Sequence, residues 1–346
     1  MNTVQRHAWV DYAKGIGILL VVYGHIARGV YSAGIEFDEQ WFKLVDSVIY
    51  TFHMPLFFFL SGLFFHNSLK KRGGAEMVAS KADTILYPYI LWSLLQGFVE
   101  LIFSRYTNDV VFFEDVVNLL EPRAQFWFLF ALFMITVVAI PIYAALQRRL
   151  FLAAVLFSAA VFVFQQSLPE FFHSDYLYAW FVFFAFGVWF NEIKQMFLER
   201  ANMLVLPFLF LFVFSQWLFH GYFHMTHEDM GPGMLVLAMI AILFVVLLSH
   251  ALARYPNRYL LTIGYSSMAI YLMHVLAGSG VRVLLQKVLH IENLYAHLAL
   301  GFSFAVLIPV GILKLCRRWN LMFLIEAPEK VSGQYWYQKK LGTRAA

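Results

Sequence analysis

Charge is what this sequence has least of. Asp, Glu, Lys and Arg make up only 13% of its 346 residues, hydrophobic residues make up 61%, and the mean hydropathy is +0.69. That balance excludes a soluble globular chain and indicates a polytopic membrane protein. Cysteine is nearly absent: Cys316 alone excludes an internal disulfide and any cysteine-built metal cage, and no metal site is expected. The net charge of +4 is small, and most of the Lys and Arg serve topology, so no nucleic-acid partner is expected. No cleavable leader is expected either. Asp11 and Lys14 interrupt the first apolar stretch and no small-residue cleavage site follows, so it reads as a retained helix.

What remains is long apolar runs. Ten of them approach the ~20 residues that span a bilayer: residues 9–29, 41–65, 84–104, 124–146, 150–168, 176–192, 202–221, 231–252, 259–280 and 296–316. An inside N-terminus places 19 of the 25 Lys and Arg in cytoplasmic segments, among them Arg6, Arg148, Arg149 and the seven from Lys314 to Arg344. The remaining six, Arg28, Lys43, Arg105, Arg123, Arg282 and Lys287, fall outside, where acidic residues such as Glu36, Asp38 and Asp109 gather. The positive-inside bias therefore puts both termini in the cytoplasm. The expected fold is all-α: a membrane helix bundle over residues 1–325 with a short cytoplasmic tail, 326–346. All chemistry must lie in the bundle or its short loops.

Titratable groups in hydrocarbon are costly and mark function. In "DYAKGIGILLVVYGHIARG", residues 11–29, Lys14 and His25 are eleven positions apart. They share one helix face with Asp11 and lie ~16 Å apart along the axis. Lys14 falls at the inner interface, where it either snorkels as a topology anchor or binds an anion. The second run holds "TFHMPLFFFLSGLFF", residues 51–65, with His53 near the midplane and a kink expected just after it at Pro55. Asp46, seven residues earlier on the same face, lies ~10 Å outward of the midplane, and His25 lies ~9 Å outward. Glu100 and His274 also map to the outer half, which suggests a polar cavity in one layer; the alternative places Asp46 and Glu100 beside the outer headgroups. Tyr271 and His274 share a face of "YLMH", where they either act in catalysis or pack and bond to neighbouring helices. The segment "HGYFHMTHED" carries His220, His224, His227 and Glu228 without the regularity of a metal motif, and is read as interfacial histidines or contacts to a glycan.

Several blocks carry a resemblance. "DYAKGIGILLVVYGH", "FHMPLFFFLSGLFF", "KADTILYPYILWS" (81–93), "QFWFLFALF" (125–133) and "IGYSSMAIYLMH" (263–274) are similar, in this order, to blocks of the acyltransferase-3 family of integral membrane O-acyltransferases, and to its fucose 4-O-acetylase-like branch. Lys14 stands where many members have Arg, so it offers a point charge in place of a bidentate grip. The resemblance implies a bacterial plasma-membrane enzyme that moves an acetyl group from cytoplasmic acetyl-CoA, with no tightly bound cofactor, to a sugar hydroxyl of a glycan or lipid-linked saccharide at the outer face. The polyanionic donor would meet Lys14, Lys81 and the Lys70-Lys71-Arg72 run. His25 is the expected general base, with Asp46 or Glu100 orienting its ring, and an acetyl-imidazole intermediate stays open beside direct transfer. His53, Tyr271 and His274 are the candidate oxyanion donors. The rival class is a proton-coupled secondary transporter, since buried His, Asp and Glu also build proton relays. No repeated halves support it.

Overall fold

The computed structural model describes residues 8–104 and 111–340 and contains no strand among them. Arg6, Arg105, Asp109 and Arg344, together with the last six residues of the tail, lie outside the described residues. Ten helices are long and apolar enough to cross a membrane: α1 (Ala8–Ser32), α2 (Glu39–Arg72), α3 (Gly74–Ile102), α4 (Ala124–Ala145), α5 (Arg148–Ser167), α6 (Ser174–Leu198), α7 (Ala201–Tyr222), α8 (Pro232–Leu252), α9 (Ser267–Val288) and α10 (Leu294–Arg318). A short helix, α11 (Gly333–Lys340), follows. The chain is thus an all-α, multi-pass membrane protein.

Several spans depart from the expected boundaries, the third starting at Gly74 instead of near 84, and two of the departures have clear physical reasons. In α2 the break precedes Pro55. The helix stops at Tyr50, Phe52 leaves helical geometry, and a new helix starts at His53. A mid-helix proline would clash with the carbonyl four residues back; in the first turn its missing N–H and fixed φ are tolerated. The ninth span begins at Ser267 and not near residue 259. Residues Arg258–Tyr265 form a separate short helix, capped by the Asn257 side chain on the N–H groups of Tyr259 (3.0 Å) and Leu260 (3.1 Å). Tyr12 holds it to α1: its hydroxyl accepts from the Asn257 N–H at 2.6 Å and donates to the Tyr255 carbonyl at 3.3 Å. Gly264 lies so close to α1 that a Cβ would overlap the Asp11 carbonyl.

The chain divides into two compact units. The first comprises residues 1–24, 38–67 and 145–267, and the second 25–37, 68–144 and 268–346. The first is built around the crossing of α2 and α6, where buried Phe58, Phe59, Phe183, Phe184 and Phe190 fill the core. Gly62 and Gly187 permit that crossing, since a Cβ on either would overlap a backbone carbonyl of the other helix. The second unit holds the end of α1, α3, α4, α9 and α10, with Ile135, Ala139, Ile270, Leu272 and Ala305 fully buried. Gly278 and Gly301 let α9 and α10 approach Ile26 of α1.

The C-terminal segment is bonded to α3. The Asp83 carboxylate, 9% exposed, accepts from the Ser332 hydroxyl (2.7 Å) and from the N–H groups of Gly333 (2.8 Å) and Gln334 (3.0 Å). It thereby caps α11 from a distant helix. Trp92 donates its indole N–H to the Leu324 carbonyl at 2.6 Å, and Glu76 accepts from the amides of Gln334 and Gln338. Charge-assisted bonds to a cap are worth about 1–2 kcal/mol. Asp83→Ala should therefore free this segment, seen as faster tryptic cleavage at Lys330 and Lys339. An unchanged cleavage rate would show that the cap does not hold it.

Candidate active site

In the second unit a run of polar side chains links four of the residues expected from the sequence. His25, half-buried on α1, meets His274 of α9 edge to face, with ring centroids 4.9 Å apart and planes at 77°. His274 is fully buried, and its Nδ1 lies 3.0 Å from the Ile270 carbonyl and 2.8 Å from the Tyr271 carbonyl. Carbonyls only accept, so the ring hydrogen is assigned to Nδ1 and Nε2 keeps its lone pair. That Nε2 is buried with no hydrogen-bond partner among the described residues. An orphaned buried acceptor costs about 1–3 kcal/mol, which makes it a feature that needs a reason.

Tyr271, one turn before His274, donates its hydroxyl to the Gln125 carbonyl. The buried amides of Gln125 and Gln96 pair at 2.7 and 3.3 Å. Gln96 donates to Glu100 at 2.9 Å, and Arg123 closes the chain with a 2.8 Å ion pair to the same carboxylate. Gly97 leaves the space in which the Arg123 guanidinium lies. Glu100 is therefore bonded to Arg123 and Gln96 and joins the tyrosine through the glutamine pair.

Asp46 and His53 belong to a second cluster, in the first unit. His53 is buried and donates from Nδ1 to the Ile49 carbonyl at 2.8 Å, while its ring stands 4.5 Å from that of Tyr50. Tyr50 also contacts His227 at 5.3 Å, and the His227 N–H donates to Ser47 at 2.7 Å. Asp46 precedes Ser47 on α2 and is buried, at 8% exposure. Two histidine rings of the "HGYFHMTHED" segment are thus individually engaged: His227 against Tyr50, its backbone N–H on Ser47, and His220 on the Met225 carbonyl at 2.8 Å. Among the described residues no three His, Cys, Asp or Glu side chains gather as metal ligands would.

The basic residues separate in the same way. In the first unit Lys14, at 40% side-chain exposure, pairs with Asp11 at 3.5 Å. In the second, Lys70, Lys71 and Arg72 are exposed at the C-terminal end of α2, where the helix dipole favours cations. Arg72 reaches Ser80 at 2.7 Å, next to Lys81.

An acyltransferase family model, described as "Acyltransferase domain", matches residues 7–314 and so includes every polar residue of both clusters. The chain belongs to this acyltransferase family. Two curated relatives are similar over shorter stretches, both named nodulation protein NolL. That of Mesorhizobium japonicum is 33% identical over 94 residues, 27% of this chain and 25% of the relative. That of Sinorhizobium fredii is 31% identical over 130 residues, 36% of this chain and 34% of the relative. The match thus spans about a quarter to a third of the relatives' length. No solved structure matches.

Sequence reading of this acyltransferase-family chain missed Gln96 and Gln125 as site residues and counted Arg123 only as an external charge. One local signal was present: Gln96 and Glu100 stand four apart, the spacing of helical side-chain partners. Nothing local pairs Gln96 with Gln125.

Proposed function

We propose that this protein is a membrane O-acetyltransferase that moves an acetyl group from cytoplasmic acetyl-CoA to a sugar hydroxyl of a cell-envelope or exported glycan at the opposite face of a bacterial inner membrane. The observation that carries the reading is the His25–His274 pair, set within apolar spans of a chain that belongs to an acyltransferase family. A titratable pair within apolar spans is expensive in hydrocarbon and points to proton handling.

The chemistry asks little more. A sugar hydroxyl ionises far above neutral pH, so attack on a thioester requires a base in the transition state. His25 takes the hydroxyl proton as the oxygen–carbonyl bond forms; the carbon–sulfur bond breaks, and the departing thiolate recovers that proton from His25. Lys14 lies three turns from His25 on α1, ~16 Å along the axis, a distance suited to a donor whose phosphates rest at the inner face while its thioester reaches inward. In the second unit, Lys70, Lys71, Arg72 and Lys81 are basic residues of the kind that attracts a polyanionic donor. The basic residues concentrated in alternate loops support both termini on the donor side.

The test uses proteoliposomes of known orientation. Acetyl-labelled acetyl-CoA supplied on the side of the termini should label a glycan acceptor on the other side, with free CoA thiol accumulating where the donor was added. Intact acetyl-CoA crossing the bilayer without acylated product would replace this reading with a transporter.

A further inference from the structure

We infer that His274 is the positioning residue of His25, and that the chain Tyr271–Gln125–Gln96–Glu100–Arg123 fixes the helix segment that presents it. The inference rests on His25 being the base of the proposed transfer. It assigns to a neutral imidazole the part that a carboxylate plays where an acid orients a catalytic histidine.

Three features of the second unit carry it. The Nδ1 hydrogen of His274 is committed to the carbonyls of Ile270 and Tyr271, at 3.0 and 2.8 Å, so the ring can only accept at Nε2. That nitrogen is fully buried and receives no hydrogen bond among the described residues. The imidazole packed against the His274 ring is His25, with centroids 4.9 Å apart and planes at 77°. When His25 takes the acceptor's proton it carries N–H groups on both ring nitrogens. One then faces the substrate oxygen, and a modest tilt of the ring brings the other onto the His274 lone pair. In the resting protein the same lone pair favours the His25 tautomer whose N–H is turned toward it, and the bond tightens when the reacting complex forms. The proton goes no further than His25, because His274 accepts a bond and not a proton, and the thiolate recovers it as above.

A neutral acceptor suits this setting. A carboxylate at the same place would add a second buried charge in the resting enzyme, whose desolvation is costly. The unit's carboxylate in this network, Glu100, is held by Arg123 at 2.8 Å and by Gln96 at 2.9 Å. Through the Gln96–Gln125 amide pair and the Tyr271 hydroxyl on the Gln125 carbonyl, that ion pair anchors the turn of α9 just before His274. Tyr271 and Glu100 act on this view through His274 and do not touch the reacting atoms.

The experiment compares the parent with His274→Leu and His274→Gln in detergent, since a glutamine amide oxygen restores an acceptor near the Nε2 position. Two quantities are read: kcat and KM for acetyl-CoA, and the ring-nitrogen NMR shifts of His25 with labelled histidine, without substrate. His274→Leu should lower kcat by about 30- to 100-fold with KM within about twofold, and His274→Gln should recover most of that loss. His25 should show one tautomer in the parent and in His274→Gln, and a mixture in His274→Leu. If His274→Leu keeps the parent's kcat and the parent's His25 tautomer, the inference is wrong. Equal loss in both variants with an unchanged His25 spectrum overturns it as well, because packing alone then explains the effect. If the leucine variant does not fold, the glutamine variant decides: a single His25 tautomer upholds the inference and a mixture rejects it. Loss of the single tautomer in His274→Leu, in a parent protein that transfers no acetyl group, leaves the positioning intact and removes the base assignment instead.

Discussion

On the proposed function, His25→Ala should abolish acetyl transfer, by about 10³-fold or more, and leave acetyl-CoA binding nearly unchanged. Removal of a general base from attack on a thioester by a sugar hydroxyl costs roughly 10²–10⁴ in rate, and here the base is also the ring against which His274 is packed. Binding is spared because the base works on the proton in transit, and a group that acts only in the transition state contributes little to holding the ground-state donor. The measurement is turnover of labelled acetyl-CoA beside calorimetry of donor binding in the same detergent. Transfer at the parent's rate would remove His25 as base. Lost binding with a proportionate loss of rate would make it a donor contact.

The second large effect concerns stability. Arg123→Ala leaves the Glu100 carboxylate, 19% exposed, with the Gln96 amide as its remaining partner in this network. Breaking a buried ion pair from one side costs about 3–5 kcal/mol, and the remaining exposure of this pair brings the expectation to about 2–4 kcal/mol. The thermal midpoint in detergent should fall by roughly 3–5 °C. Replacing both partners, Arg123→Leu with Glu100→Leu, should recover most of that loss, since the cost lies in the unpaired charge and not in the missing bond. A double variant no more stable than Arg123→Ala would mean that the guanidinium is held for its packing in the space left by Gly97. Because Gln96 joins Glu100 to Gln125, and Gln125 to the Tyr271 hydroxyl, Arg123→Ala should also lower kcat more than it raises KM for the donor.

The sequence by itself determined the class of this protein, its ten spans and the register of its first helix. Apolar runs of bilayer length are a local property, and residues eleven apart on a continuous helix share a face whatever surrounds them. The family blocks were legible for the same reason: each is a contiguous string. Near Pro55 the sequence located a break but not its side. The helix ends before the proline, because the ring is tolerated in a first turn and clashes in an interior one. The ninth span shifted because Asn257, Tyr12 and Gly264 set the preceding residues aside as a separate helix against α1.

Only the tertiary structure decided which polar residue meets which. Glu100 and Arg123 read in sequence as two outer charges of opposite sign; folding makes them one pair. Asp83 carried no role in the sequence reading, and its partners lie about 250 positions away in the tail. Gln96 and Gln125 carry no local signal of their pairing, since an amide in an apolar run reports that it needs a partner without saying where that partner is. His274 shows the division most plainly. Its burial was foreseeable from the apolar run around it. That its ring would pack against His25 follows from the approach of α9 to α1, which Gly278 permits by giving Ile26 room.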